Sequence, residues 1–197
     1  MTSLRLILAS TSPYRRELLG RLRLPFETMS PGVDEAPRPG EAAAALVLRL
    51  AREKVGAVAA RVPDAIVIGA DQVAVLDTVA LSKPGTHANA VAQLRAMRGR
   101  RVSFLTAVAV SRGATGETGV RLVPTDVHFR DFDDATIEAY LRAEQPYDCA
   151  GSAKIEALGI VLVRQLDGTD PTALIGLPLI ALVDLLAEFG VSPLVPA

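Results

Sequence analysis

The chain of 197 residues has no tryptophan, one cysteine and two histidines, and its aromatic content is only 4%. Each shortage closes a route. Cys149 alone cannot form an internal disulfide, so nothing points to an oxidising compartment. His87 and His128 have no partner at metal-ligand spacing, and each reads as a surface or loop residue rather than a catalyst. There is no glycine-rich phosphate loop ending in Gly-Lys-Ser/Thr, no His-Glu-x-x-His, no Cys-x-x-Cys pair and no Gly-x-Ser-x-Gly elbow. No charge of one sign predominates. The 21 Lys+Arg and 22 Asp+Glu leave a net charge of −1, unlike the strongly basic domain of a sequence-independent nucleic-acid binder. The longest apolar stretch, residues 173–183, is broken by Gly176 and Pro178 and falls far short of a membrane span. The opening LRLILAS is too short for a secretion signal. The expectation is a soluble cytoplasmic protein with no nucleic-acid or membrane partner.

One more scarcity is informative. Eighteen of the cations are Arg, and only Lys54, Lys83 and Lys154 are Lys. Lysine is a compact point charge on a flexible stem, whereas arginine is a planar fork. A chain that uses Arg almost everywhere else has kept Lys at three places, any of which can mark a site.

What is present is enough for a folded core. Half the residues are apolar and 22% are charged, which excludes disorder. A chain of this length buries roughly 70% of its unfolded surface without disulfide staples. Periodicity predicts strands at residues 4–9, 25–29, 65–70, 101–110, 120–130 and 158–166, with a hairpin extension over 72–81. It predicts helices from Ser12-Pro13 to about Arg21, and over 41–61, 86–98, 134–144 and 178–189. Residues 30–40, with three prolines and two glycines, form a loop. This mixture implies an α/β fold with a mixed, twisted sheet flanked by helices.

Candidate chemistry concentrates in a few segments. Ser10-Thr11-Ser12-Pro13-Tyr14-Arg15-Arg16 places hydroxyls at a strand end, then a helix N-terminus, then two guanidiniums. That is either an anion site, with free amides and bidentate arginines, or an ordinary capped helix. Lys54 falls inside the apolar arc of Val47, Leu50, Ala51 and Val58, opposite Arg49, Arg52 and Glu53. A lysine there either snorkels outward or serves a charge partner. Asp71 follows the apolar strand 66–70, at the strand end where ligands sit in open α/β sheets, or else is a turn residue capping local amides. Asp34-Glu35 and Ser82-Lys83-Pro84 add carboxylates and a further ammonium. Such an inventory suits a Mg²⁺-bound polyphosphate, although spacing does not show that the groups converge. Asp133-Asp134-x-x-x-Glu138 resembles the acidic pairs of helical nucleotide pyrophosphatases, but first-turn acidic bias explains it more simply.

Taken together, LILASTSPYRRELL, Val33-Asp34-Glu35, AREK ending at Lys54, GADQ at 69–72, SKP at 82–84, GSAKIEALGI and GLPL resemble the Maf family nearly end to end. The resemblance implies a single domain over residues 1–197 with an inosine-triphosphatase-like fold, two lobes around a central cleft. It implies a house-cleaning nucleoside triphosphate pyrophosphatase that uses Mg²⁺ or Mn²⁺ and acts on a small-molecule nucleotide, and it leaves a homodimer open. By residue, it implies Asp71 as proton acceptor with Lys54 and Lys83 in catalysis. Ser10, Ser12 and Arg15 would bind phosphate, and Glu35 with Asp71 would bind metal. Tyr14, Gln72 and Glu156 would choose the base, with Gln72 next to the catalytic position.

The commoner members carry Arg at the Tyr14 position and Gln at the Glu156 position, and are associated with dTTP and UTP. CAGSAKIE and DVHFR are similar instead to the YceF-type branch, which is associated with 7-methyl-GTP and usually carries Trp where this chain has Tyr14. N7-methylation makes guanine cationic. An aromatic face attracts such a ring by roughly 0.5–2 kcal/mol, and a carboxylate such as Glu156 pairs with its edge and charge better than a neutral amide does. The alternatives are a dTTP/UTP pyrophosphatase, or a nucleotide-binding regulator of cell division without turnover.

Overall fold

A computed structural model describes residues 5–194 of the chain. In chain order the strands are β1 (Arg5–Leu8), β2 (Glu27–Thr28), β3 (Ala65–Leu76), β4 (Val79–Leu81), β5 (Arg101–Arg112), β6 (Thr118–Phe129) and β7 (Val163–Gly168). The helices are α1 (Pro13–Gly20), α2 (Ala43–Ala59), α3 (His87–Met97), α4 (Asp134–Glu144) and α5 (Leu179–Glu188). Among the described residues the strands make a seven-stranded mixed sheet in the order β2-β1-β3-β5-β6-β7, with β4 on β3. This is the mixed α/β sheet flanked by helices that periodicity predicts. Leu4, expected to open the first strand, lies outside the described residues.

The described chain divides into two compact units, one of residues 5–71, 106–123 and 170–194, the other of residues 72–105 and 124–169. In the first, β1 runs parallel to β2 and to β3, pairing Arg5 through Leu8 with Ala65 through Ile68. Parallel neighbours need crossover connections, which α1 and α2 provide. Ser12 caps α1 by accepting the Arg15 N–H, and Pro13 opens the helix as expected. The core joins Leu6, Leu8, Ile66, Ile68 and Ala70 of the strands to Leu18 and Leu19 of α1, to Leu182, Leu185 and Leu186 of α5 and to Phe189 just after it.

Strand alternation sorts the rest. Because Ile66, Ile68 and Ala70 face α1 and α5, residues 67, 69 and 71 face the other way. Gly69 there lies against α2: a Cβ on it would stand 2.8 Å from Val55 Cγ1, 3.3 Å from the Ala51 carbonyl oxygen and 3.4 Å from Lys54 Cβ. Asp71, two residues on, projects on the same side.

Several boundaries differ from expectation, and the strand expected over 25–29 keeps only Glu27–Thr28. β3 does not end near Asp71 but runs unbroken to Leu76, since Val73, Ala74 and Leu76 are buried and keep the strand apolar. The hairpin expected over 72–81 is present, with Leu76 paired to Val79 and Ala74 to Leu81. The strand that does stop is β1, whose Leu8 pairs with Ile68, so residues 69–71 of β3 run on past its end. The long helix starts at Ala43 rather than 41, because Ala42 is extended and the Glu41 N–H closes a turn on the Arg38 carbonyl. Residues 158–162 form a 3-10 turn before β7 instead of a strand. Gly159 explains this: its N–H donates to the Lys154 carbonyl at 2.9 Å, with the two backbones too close for a side chain.

The second unit packs α3 and α4, contributing Leu94, Met97, Ile137 and Leu141, with Phe104, Val127 and Leu162, all buried. Thr86 and Asp133 cap the two helices. Asp133 takes the Thr136 N–H, and Asp134 pairs with Arg95 and Arg98, so the acidic pair serves the helix start. His87 lies between Tyr147 and Glu138, and His128 against Asp167.

Gly69→Ala should destabilise the protein by about 1–3 kcal/mol, because the added methyl meets a β-branched side chain and backbone. Urea denaturation reads this directly, and an unchanged midpoint would contradict the close packing of α2 on β3.

Candidate active site

Lys54 is the only lysine on α2, and its side chain is 4% exposed. Helical periodicity put it on the buried face among Val47, Leu50, Ala51 and Val58, and all four are buried. Its ammonium does not snorkel. Nζ lies 2.6 Å from Asp71 Oδ1 and 2.6 Å from Glu35 Oε1. Asp71 comes from β3 and is itself 8% exposed, while Glu35 comes from the loop and has a side chain 59% exposed. A buried ammonium is tolerated only when paired, and here two carboxylates share it.

The N-terminus of α1 belongs to the same unit. Ser10 is buried; its Oγ accepts the Ser12 N–H at 3.1 Å, and Ser12 Oγ accepts the Arg15 N–H at 3.4 Å. With both oxygens accepting from backbone, each hydroxyl keeps its proton to donate elsewhere. An open depression of about 480 Å³ at this end is lined by Ser10, Thr11, Ser12, Arg16, Phe26 and Thr28. Arg16, rather than the expected Arg15, is thus the guanidinium at the depression. Arg15 turns elsewhere: its Nε donates to the Gly176 carbonyl at 2.9 Å. Burial pushes the Arg15 guanidinium below its ordinary value, and the negative charges of Asp71 and Glu35 pull it back up. The carboxylates are therefore balanced by one ammonium and one guanidinium. Tyr14 is half-buried on α1 beside Arg15.

Glu35 sits on a loop with no regular structure, and a missed cluster holds that loop. Arg49 donates to both Glu41 oxygens at 2.6 and 2.7 Å, to Glu53 at 3.0 Å and to the Ala36 carbonyl at 3.2 Å. Arg38 adds a contact from the loop to Glu53, and the Ala36 N–H closes a turn on Asp34 Oδ1. Helix periodicity places Arg49 and Glu53 on the polar face as solvated charges. Their i,i+4 spacing lets them pair, but the return of the loop onto them has no sequence pattern.

The remaining candidates lie in the second unit. Gln72 is the next residue of β3 after Asp71. Lys83 is exposed in the segment after β4. Glu156 is exposed after the 3-10 turn at Ala150–Ser152. Partial withdrawal from water pushes the Glu156 carboxyl up, Glu144 and Asp148 add to the rise, and Lys154 opposes it. Lys154 itself pairs with Glu144 at 3.0 Å.

The donor set can be tested against a divalent cation. Glu35 and Asp71 are hard oxygen donors brought within reach of one ammonium. Among the described residues no group of three or more His, Cys, Asp and Glu forms a protein cage. Two carboxylates suit an ion such as Mg²⁺ or Mn²⁺ that completes its shell with water and substrate phosphate. The residues fit such an ion, with Lys54 beside it.

A helix end presenting hydroxyls, and two carboxylates sharing a buried ammonium, give this α/β protein a donor set suited to anions and to a hard cation. The chain belongs to the Maf family: the pattern of the Maf-like proteins matches residues 5–189. It is 58% identical over 193 residues to the 7-methyl-GTP pyrophosphatase of Thiobacillus denitrificans, covering 98% of this chain and 96% of that one. It is also 58% identical over 187 residues to the 7-methyl-GTP pyrophosphatase of Pseudomonas syringae pv. tomato, covering 95% and 97%. Among solved structures it is similar to the Ham1 protein of Staphylococcus aureus, with a TM-score of 0.47 and 18% identity over 64% of this chain and 72% of that one.

The loop's anchor should be acid-sensitive in a defined window. Arg49, with help from the Arg38 amide, lowers the Glu41 carboxyl from 4.5 to about 2. A depressed folded value means that this contribution is complete above about 4.5 and is lost as pH falls toward about 2. Thermal midpoints followed through that window should fall less steeply for Glu41→Gln than for the parent chain; parallel curves would contradict the anchor.

Proposed function

We propose that the chain is a nucleoside triphosphate pyrophosphatase that hydrolyses the α–β phosphate linkage of 7-methyl-GTP, giving 7-methyl-GMP and pyrophosphate. The observation that carries this reading is the Lys54 ammonium shared by Glu35 and Asp71. It sets two carboxylates and a point charge side by side, as a hydrolytic centre for polyphosphate requires. The near-full-length similarity to proteins named 7-methyl-GTP pyrophosphatases supports the substrate.

In this mechanism Asp71 accepts a proton from the attacking water. The water oxygen bonds to the α-phosphorus, the bond from that phosphorus to the α–β bridging oxygen breaks, and pyrophosphate leaves with the electron pair. A divalent cation held by Glu35 and Asp71 would supply Lewis-acid stabilisation of the phosphate oxygens. Lys54 holds the two carboxylates in place and, with Lys83, offsets negative charge that spreads as the bridging bond breaks. Ser10 and Ser12 donate hydroxyl protons to phosphate, and Arg15 adds positive charge beside the carboxylates.

Tyr14 would offer its ring face to the methylated base, while Glu156 and Gln72 would read its edge. Removal of a modified nucleotide in the cytoplasm is the role this chemistry fits. Among the described residues no helix is long and apolar enough to cross a membrane.

The purified protein with Mg²⁺ should release pyrophosphate from 7-methyl-GTP, and Asp71→Asn should cut turnover by about 10²–10⁴-fold without unfolding the chain. Release of orthophosphate alone, stoichiometric binding without product, or full activity in the variant would overturn the assignment. In the same panel Glu156→Gln should narrow the preference for 7-methyl-GTP over UTP and dTTP, and an unchanged ratio would remove Glu156 from base choice.

A further inference from the structure

Gln93 lies on the polar side of α3, and its amide joins two separate segments of the second unit. Nε2 donates to the Ser82 carbonyl at 2.9 Å, and Oε1 accepts from the Ser152 hydroxyl at 2.5 Å. The orientation follows from chemistry. A carbonyl can only accept, so the amide nitrogen must face Ser82; the amide oxygen then faces Ser152, whose hydroxyl must donate. Each end uses one half of the amide, and no other uncharged side chain of this length supplies both a donor and an acceptor.

The two anchored residues stand next to two candidate functional groups. Ser82 immediately precedes Lys83, and Ser152 stands four residues before Glu156. Ser82 lies in irregular chain and Ser152 ends a single three-residue 3-10 turn, so neither is held by a long element. Residues 82–85 are irregular chain ending at Gly85 with φ +68°. Their other backbone ties are the Asn89 amide on the Pro84 carbonyl at 2.9 Å and the Gly85 N–H on the Tyr147 carbonyl at 3.0 Å. Ser152 is fully buried and holds φ +55°, a left-handed conformation that costs a side-chain-bearing residue free energy and persists only when its surroundings fix it. Downstream, the Lys154 N–H donates to the Tyr140 hydroxyl at 2.9 Å, which continues the support toward Glu156.

We infer that Gln93 is a positioning residue that sets Lys83 and Glu156 in one shared register, so that phosphate charge and base choice depend on a single amide. This deepens the proposed function and rests on it. Gln93 needs no contact with substrate. Its effect comes from fixing the backbone on either side, where displacement of a catalytic group by about 1 Å can cost on the order of 10²-fold in rate.

Two conservative variants separate the arms. Gln93→Glu keeps the shape and an acceptor for Ser152 but replaces the donor to Ser82 with an oxygen that repels its carbonyl. Turnover of 7-methyl-GTP should fall about 10-fold, and the ratio of 7-methyl-GTP to UTP should hold. Ser152→Ala releases the other arm and should narrow that ratio by several-fold, with a smaller loss of turnover. Steady-state kinetics on both nucleotides at matched folded fraction, checked by thermal unfolding, reads both effects. Equal losses on both nucleotides in both variants, or no change in either, would overturn the inference while leaving the functional reading intact. A parent protein that releases no pyrophosphate from 7-methyl-GTP would overturn the functional reading, and the inference with it.

Discussion

The arrangement of the first unit depends on one buried ammonium. Lys54 lies on the apolar face of α2, where a lone charge would be costly, and breaking a buried pair by removing one partner typically costs about 3–5 kcal/mol. The charge must therefore be met from two directions, by Asp71 on the sheet and by Glu35 from the loop. That requirement fixes which face of β3 carries Asp71 and where the loop must return. It also sets the charge to which Arg15 answers across the same unit.

Several features far apart in sequence follow from it. Gly69 is small because α2 must approach β3 closely enough for Lys54 to reach the carboxylate two residues on. Gly176 presents its carbonyl to Arg15, which keeps that guanidinium near Asp71 and Glu35 instead of in the depression at α1. Arg49 and Glu41 hold the loop at Ala36, the residue after Glu35. Strand, helix and loop thus converge on one ammonium shared by two carboxylates.

Much of this was legible in the sequence because it obeys local periodicities. The apolar arc of α2 located Lys54 on the buried face, and Ser12-Pro13, Thr86 and Asp133 marked helix starts that the structure uses as caps. The readings that failed involve contacts across the chain. An aspartate after an apolar run suggests a strand end, yet β3 continues because its later residues are buried, and it is β1 that stops. The apolar residues 158–162 suggested a strand, but the close approach of Gly159 to the Lys154 backbone makes a 3-10 turn. Arg49 and Gln93 gave no signal beyond an ordinary polar helix face, because their partners arrive from loops whose paths no periodicity records. The scarcity of lysine had a structural counterpart at Lys54, which is buried between two carboxylates.

In the proposed reaction this cluster directs water to the α-phosphorus of a nucleoside triphosphate. The most direct measurement is hydrolysis of 7-methyl-GTP in ¹⁸O-labelled water, followed by mass spectrometry of both products. Attack at the α-phosphorus puts the label in 7-methyl-GMP and leaves pyrophosphate unlabelled, which is the predicted result. Label in pyrophosphate, with none in the monophosphate, would place the attack on the β-phosphorus and contradict the account.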